Sequence, residues 1–230
     1  MSDLLERIRS RGYWDIRVTP SEFHAERLPR LADLERAFRE AHVQLRGWDY
    51  PHNPKDGTTR GPDYIEGMID WTHYLEFWRL YKSGQFVHLF GMREDWYKEG
   101  GLSGLNIEPG TILSLGSTLY TMTEIFLFAS RLTEAFPLGP NVDIRLRLHG
   151  LSNRQLDTMD PGRIPLDEFR RASASTREFA RGLSVPAGEL IARANEFAVD
   201  QTLALYEVFN WDPARQSVVE EQRKFLERRI

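Results

Sequence analysis

Residues 73–96 carry a pattern of apolar and polar positions that predicts a long β-hairpin. Two runs rich in Tyr, Phe, Trp, Val and Leu suit a pleated, half-buried surface, and the polar segment 82–84 between them suits a tight reversal. A two-residue turn would force Ser83 to positive φ. A type I turn followed by a left-handed residue requires positive φ only at Gly84. The sequence therefore favours the second kind of turn.

The favoured turn sets the register of the two strands, and the register decides which side chains share a face. The predicted pairs are Leu80 with Phe86, Arg79 with Val87, Trp78 with His88, Phe77 with Leu89 and Glu76 with Phe90. One face then carries Glu76, Trp78, His88 and Phe90, and the opposite face carries Phe77, Arg79, Val87 and Leu89. Both faces are largely apolar. We therefore expect the hairpin to lie centrally in a sheet, either covered on both sides or covered on one side and presenting an aromatic binding surface on the other.

Alternation with a period of two predicts further strands, and apolar positions three and four residues apart predict helices. The predicted strands are 13–18, 64–71, 142–149 and 178–185. The predicted helices are 3–11, one beginning near Pro29, a strongly apolar one capped by Ser117, a long one beginning at Pro186, and a terminal one over 213–229. No βαβ alternation is present, so the pattern predicts an α+β fold in a single domain, residues 1–230. Its antiparallel sheet would have about six strands, a usual size, with the long hairpin central, helices packed on it and a helical C-terminus.

The composition excludes several classes of protein and site. There is no cysteine among the 230 residues, which excludes disulfides, thiolate nucleophiles and Cys-ligated metal sites. The formal net charge of -4 disfavours non-specific adhesion to nucleic acid or to an anionic membrane. The charged N-terminal segment does not resemble a signal peptide, and no apolar run approaches the roughly 18 residues of a membrane span. We therefore expect a soluble, cytoplasmic protein outside the membrane.

The segment Trp48-Asp49-Tyr50-Pro51-His52 places a carboxylate, a phenol and an imidazole close together at an expected sheet margin, where ligands often bind. Asp49 and His52 could form an acid–base pair, and Trp48 with Tyr50 could stack on a planar ligand. The alternative is structural, with Asp49 bonded to the backbone of the turn and both aromatic side chains in the core. Trp48, Asp49, Tyr50 and His52 are therefore candidate ligand-binding residues.

A second candidate cluster follows from the predicted hairpin register, which brings Glu76, Trp78 and His88 onto one face. A carboxylate beside an imidazole in an aromatic setting could change the proton affinities of both groups and bind a ligand or relay protons. The alternative is a histidine that is simply hydrogen-bonded within the core.

Arginines on the predicted 142–149 strand and after it form a third candidate site. Arg145, Arg147 and Arg154, with His149, make a basic stripe whose spacing of two residues suits phosphate contacts from a strand. A solvated face, partly neutralised by Asp143, explains the stripe equally well. The six histidines lack the spacings that metal sites use, so we expect no metal and no cofactor.

Several long segments resemble an uncharacterised bacterial module that forms the C-terminal part of ATP-binding regulators with a Schlafen-type AlbA_2 domain. The segments are RGWDYPH (46–52), GMREDW (91–96), TLYTMTEIFLFASRL (118–132), LHGLSNR (148–154), ELIARANEFA (189–198) and EVFNWD (207–212). The resemblance spans most of the chain and implies a sensory, regulatory or interaction module, with no catalytic residues to carry over. The chain lacks the nucleotide-binding or nucleic-acid-binding domain of that arrangement, which makes direct action on nucleic acid doubtful.

The sequence therefore predicts a non-enzymatic regulatory, sensor or protein-interaction module with a protein partner or a second copy of the chain. A homodimer is favoured because Val218 and Phe225, one heptad apart on a narrow apolar stripe of the terminal helix, suit a paired-helix seam. One alternative is an enzyme for a small polar or nucleotide-like ligand, with an Asp–His or Glu–His pair as its acid–base groups. A further alternative is weak nucleic-acid binding through the arginine stripe.

Overall fold

Seven antiparallel strands form the main sheet of the computed structural model, which describes residues 2–55, 57–100, 107–160, 162 and 165–227. The strands of this sheet are β1 (Tyr13–Pro20), β2 (Thr59–Arg60), β3 (Tyr64–Trp71), β4 (Tyr74–Tyr81), β5 (Phe86–Gly91), β7 (Asn141–His149) and β9 (Glu178–Pro186). A separate parallel pair is formed by β6 (Ile112–Ser114) and β8 (Gln155–Asp157). The strand order in the main sheet is β2-β3-β4-β5-β1-β7-β9. The antiparallel α+β architecture is confirmed.

The helices are α1 (Ser2–Arg9), α2 (Leu31–Ala41), α3 (Tyr97–Gly100), α4 (Leu115–Ala135), α5 (Ala187–Glu207) and α6 (Arg215–Leu226), with a 3-10 turn at Arg93–Trp96. Ser114 caps α4, since its hydroxyl accepts a hydrogen bond from Ser117 N–H at 3.2 Å. The prediction that Ser117 is the cap was therefore wrong by one turn. Helix α5 contains a kink at Arg193, whose φ of -128° and ψ of 22° lie outside the helical region.

The central hairpin has the predicted register. All five predicted pairs between β4 and β5 are observed, from Leu80 with Phe86 to Glu76 with Phe90. Gly84 adopts a φ of 86°, and its N–H donates to Tyr81 O at 2.9 Å, as the favoured turn requires. The hairpin lies inside the sheet, with β3 on one side and β1 on the other.

The main core lies between one face of the sheet and α2, α4 and α5. Trp78, Phe86 and Phe90 point into it from the hairpin, together with the inward residues of β1 and β7. On the opposite face, α1 covers only part of the sheet, where Leu4 and Ile8 pack on hairpin residues. The hairpin is therefore buried from both sides, as its two apolar faces require.

The terminal helix α6 packs against α4 and α5 of its own chain. Phe225 is fully buried and stacks on Tyr120 with 4.1 Å between ring centroids. Gln222 donates hydrogen bonds to Thr123 Oγ1 at 3.1 Å and to Asn195 O at 3.0 Å. The predicted 213–229 helix is thus observed at Arg215–Leu226, while its last residues, 228 and 229, lie outside the described residues.

No helix within the described ranges has both the length and the apolar character needed to cross a membrane.

Candidate functional site

A small cavity lies where several strand ends meet the first turns of α4. It has a volume of about 100 Å³. The rings lining it belong to Trp14, Trp48, Tyr50, His52, Trp71, His73, Tyr74 and Phe90, and the other polar residues are Arg46, Arg93, Glu94, Ser117, Thr118 and Thr121. Because β1 and β4 begin and β3 and β5 end at the same margin, their terminal aromatic residues converge there.

The 43–52 segment brings His52 to this margin. Val43 and Tyr50 form an isolated antiparallel bridge, with N–H to O distances of 3.0 and 2.8 Å, and the Tyr50–Pro51 peptide bond is cis. The main chain of His52 is then held at both polar groups. Its N–H donates to Glu76 Oε1 at 3.1 Å, and its carbonyl oxygen accepts from Trp78 Nε1 at 2.9 Å. The position of His52 is therefore fixed by two fully buried hairpin residues.

Glu76 lies between two imidazoles in the interior. Its Oε1 is 2.7 Å from His88 Nε2, and its Oε2 is 2.7 Å from His52 Nδ1. The first contact is a well-aligned hydrogen bond, whereas the second is close in distance but not aligned as one. His88 Nδ1 lies 3.2 Å from Tyr50 Oη. If His88 donates through Nε2 to the carboxylate, its Nδ1 accepts from the Tyr50 hydroxyl, a tautomer that satisfies every polar atom of that ring.

The electrostatics of this cluster favour an ionised Glu76. Burial alone would raise the pKa of Glu76, but the electrostatic attraction and hydrogen bond of His88, together with the close approach of His52, outweigh this effect and lower the pKa to about 2. Burial raises the pKa of Tyr50 and of Tyr74 well above the ordinary value, and the Glu76 charge adds to the effect in both. Both phenols are therefore neutral donors beside a carboxylate.

Aromatic rings enclose the imidazole of His52. The ring centroid of Tyr74 lies 4.3 Å from that of His52, Trp71 lies edge-on at 5.6 Å, and Trp48 lies nearly parallel at 6.2 Å. His52 itself is 7% exposed, while Trp48 and Trp71 are 37% and 43% exposed at the cavity mouth. His52 Nδ1 faces Glu76, and none of the described residues forms a hydrogen bond with Nε2, so Nε2 is the nitrogen left for a bound molecule.

Two guanidinium groups flank Trp48. Arg46 lies 5.8 Å from the centroid of the Trp48 ring, and Arg93 lies 5.3 Å from it. Arg46 Nε donates to Glu124 Oε1 at 3.1 Å, and its terminal nitrogen donates to Thr121 Oγ1 at 3.1 Å. Glu124 is fully buried, so this ion pair fixes α4 to the 43–52 segment.

The structure brings together most of the predicted ligand-binding residues. Tyr50 contacts His88, and His52 contacts Glu76, so the two clusters are one. Trp48 joins them through its ring contact with His52. Trp78 joins this site through its hydrogen bond to the His52 main chain.

Asp49 does not pair with His52, and this part of the prediction was wrong. Its carboxylate accepts from Gln44 and from Asn53 Nδ2, the latter at 2.7 Å. Asp49 is three residues from His52 in sequence, but the turn points its side chain to the polar rim of the loop. The carboxylate beside His52 is Glu76, 24 residues further along the chain.

The predicted arginine stripe is also only partly present. Arg145 and Arg147 lie on the exposed face of β7, where Arg147 pairs across the sheet with Asp15 on β1. Arg154 does not join them, because it is 1% exposed and forms an ion pair with Asp95 Oδ1 at 2.8 Å. The chain turns inward after Gly150, which the alternation along β7 could not indicate.

Several cavity residues were not predicted from the sequence. Arg46, Arg93, Trp71, Tyr74 and Thr118 come from four separate segments, and only the sheet register and the α4 packing bring them together. Trp71 and Tyr74 were open to prediction, since they flank the turn that leads into the hairpin. The described residues contain no group of three or more His, Cys, Asp or Glu that could hold a metal ion.

Comparison of the chain with protein-family models, with curated proteins and with solved structures gave no match.

Proposed function

We propose that this protein is a small-molecule-sensing regulatory module, whose ligand binds in the aromatic cavity beside His52. One observation carries the proposal: an imidazole positioned by a buried carboxylate lies among three aromatic rings at the mouth of a cavity. Ligand sites are typically apolar and aromatic with a few fixed polar groups, and this cavity has that composition. The rings of Trp48 and Trp71 would contact a planar molecule, and His52 Nε2 would fix its orientation.

The link to regulation comes from the elements that the cavity connects. The ion pair of Arg46 with Glu124 joins the 43–52 segment to α4, and α4 packs on both α5 and α6. A ligand that orders Trp48 would therefore act on a loop tied to the most apolar helix of the fold. In this proposal the output is a contact with a protein partner or a second copy of the chain.

A second candidate function is an enzyme in which His52 acts as general base. The arrangement of Glu76 Oε2 against His52 Nδ1 favours it, because a carboxylate at one ring nitrogen orients the other nitrogen toward a substrate. The two functions differ in one respect only, namely whether the bound molecule is chemically changed.

The test is a screen of small planar molecules by thermal shift and tryptophan fluorescence. We expect a ligand at about 100 times its Kd to raise the Tm by roughly 5–10 °C, because about 2.7 kcal/mol of binding free energy is added to the native state. His52→Ala and Trp48→Ala should abolish the shift. Phe169→Ala, which removes a ring that is 74% exposed and outside the cavity, should leave it unchanged.

Mass spectrometry of the recovered ligand then decides between the two candidates. An unchanged ligand supports the sensor, whereas a product that is lost in His52→Asn supports the enzyme. A shift that survives in both cavity variants would contradict the proposal, because binding would then lie elsewhere.

A further inference from the structure

The carboxylates near the cavity already have partners within the protein, whereas several donors that line it do not. Each carboxylate at or behind its wall has a partner: Glu76 has the two imidazoles and Glu124 has Arg46. Glu94 is buried and accepts from Ser114 N–H at 3.0 Å. The carboxylates near the cavity are therefore committed to groups of the chain itself.

Several donors at the same wall have no such partner. Within the described part of the chain, Arg93 forms no ion pair or hydrogen bond, and its guanidinium only stacks against Trp48 and Tyr97. The Thr118 hydroxyl is buried, lines the cavity and has no hydrogen-bond partner among the described residues. The Ser117 hydroxyl also lines the cavity and likewise has no hydrogen-bond partner in the described part of the chain.

Glu94 does not neutralise Arg93, although the two are adjacent in sequence. Burial raises the pKa of Glu94, and backbone hydrogen bonds and the charge of Arg154 act against this rise. Among the described residues, no ion pair joins the Glu94 carboxylate to Arg93, and that carboxylate accepts from Ser114 N–H instead. No carboxylate of the described residues thus pairs with Arg93. Its guanidinium lies at the edge of a cavity walled by aromatic rings, where the interaction of a guanidinium with an oxyanion is stronger than in open water.

We infer that the bound molecule carries a small oxyanion, a carboxylate or a phosphate, on a flat ring, and that Arg93 binds this oxyanion. The inference rests on the proposed function, because it names the chemistry of a ligand in the same cavity. A ligand with hydrogen-bond acceptors pairs with the donors that have no partner in the protein. A ligand that carries only donors leaves them unpaired, which costs binding free energy. The flat ring follows from the aromatic walls, since the rings of Trp48 and Trp71 line the cavity.

The experiment compares four probes by isothermal titration at low salt: benzoate, phenyl phosphate, benzamide and inorganic phosphate. Benzamide has the shape of benzoate without its charge, so the ratio of their affinities measures the contribution of the charge. We expect benzoate or phenyl phosphate to bind at least about 10-fold more tightly than benzamide, as a charge-assisted hydrogen bond provides. Whichever of the two anions binds more tightly identifies the carboxylate or the phosphate, and inorganic phosphate should bind weakly because it lacks the ring.

Variants assign the preference to Arg93. Arg93→Gln should reduce the affinity for the preferred anion about 10-fold or more and leave the benzamide affinity unchanged. Arg93→Lys keeps the charge without the planar fork, so it should keep part of the preference. Arg223→Gln, on an exposed face of α6, is the matched control and should behave as the unsubstituted protein.

Three results would overturn the inference. If benzamide and benzoate bind equally well, the cavity is a ligand site but it does not recognise an oxyanion. If the preference for the anion is unchanged in a folded Arg93→Gln protein, another group binds the charge. If none of the four probes and no molecule of the planar screen binds, both the inference and the proposed function fail.

Discussion

At the scale of single residues, Glu76 is the group on which the site depends. A carboxylate buried without compensation would lose several kcal/mol of solvation. Here two imidazoles and the His52 N–H supply the compensation, so the carboxylate orients both histidines. Glu76 thus fixes the main chain of the 43–52 segment at His52. Because its carboxylate contacts Nδ1 of the His52 ring, Nε2 is the ring nitrogen that faces the cavity.

The pH dependence of stability tests this role. The pKa of Glu76 is about 2 in the folded protein against an ordinary value of 4.5, so ionised Glu76 stabilises the fold above pH 4.5. That contribution, about 3 kcal/mol from the size of the shift, is lost as the pH falls from 4.5 toward 2. Glu76→Gln should therefore cost about 3 kcal/mol at pH 7, and this cost should shrink between pH 5 and pH 3 in urea unfolding measurements.

Glu6→Gln serves as the control, because Glu6 is an exposed carboxylate on α1. It should change the free energy of unfolding by about 0.5 kcal/mol or less. A cost for Glu76→Gln that stays constant from pH 7 to pH 3 would show that the glutamine acts through packing rather than through the lost charge.

At the scale of elements, the features predicted correctly from the sequence are those that depend on residues close together in the chain. The β4–β5 register was predictable because a single residue, Gly84, can adopt the conformation that the turn needs, and a shift of one residue would reverse both faces. The prediction of the α4 cap was wrong because Ser114 and Ser117 are both suitable capping residues, and hydrophobic periodicity alone does not distinguish between them. The β6–β8 pair was missed because each strand has three residues, too few for a pattern.

The site was harder to predict for the same reason. Asp49 was chosen for its closeness in sequence to His52, whereas the actual partner, Glu76, becomes a neighbour only through the fold. Arg93 and Thr118 are brought to the cavity by packing of a 3-10 turn and a helix that are far apart in the chain. Hydrophobic periodicity contains no information on such contacts.

The turn itself gives a prediction at this scale. Gly84→Ala should destabilise the protein by about 1–2 kcal/mol, because an L-residue is strained in the left-handed region. A Cβ at this position would also lie 2.7 Å from Leu138 Cδ2. Gly188→Ala is the matched control: Gly188 lies near the start of α5 with open space around its Cβ, so this change should be neutral or stabilising. Equal losses in the two variants, measured by chemical denaturation, would contradict the turn assignment.

At the scale of the whole molecule, the cavity and the terminal helix are linked through α4. The first turns of α4 line the cavity, and the same turns carry Tyr120 and Thr123, which contact Phe225 and Gln222 of α6. Both ends of the chain therefore contribute to one arrangement: α1 covers part of one sheet face, and α6 covers α4 and α5 above the other. The apolar stripe that favoured a paired-helix seam is occupied within the chain.

This arrangement predicts that α6 contributes to stability rather than to the mass of an assembly. Phe225→Ala should lower the free energy of unfolding by about 3–4 kcal/mol, as expected for removing a fully buried aromatic ring. Val219→Ala, a half-buried position on the same helix, should cost about 1 kcal/mol or less. Light scattering at micromolar concentration should give the same mass for the native chain and for folded Phe225→Ala. A mass that falls by half in Phe225→Ala alone would show instead that this face of α6 joins two copies, because the substitution would then remove an intermolecular contact.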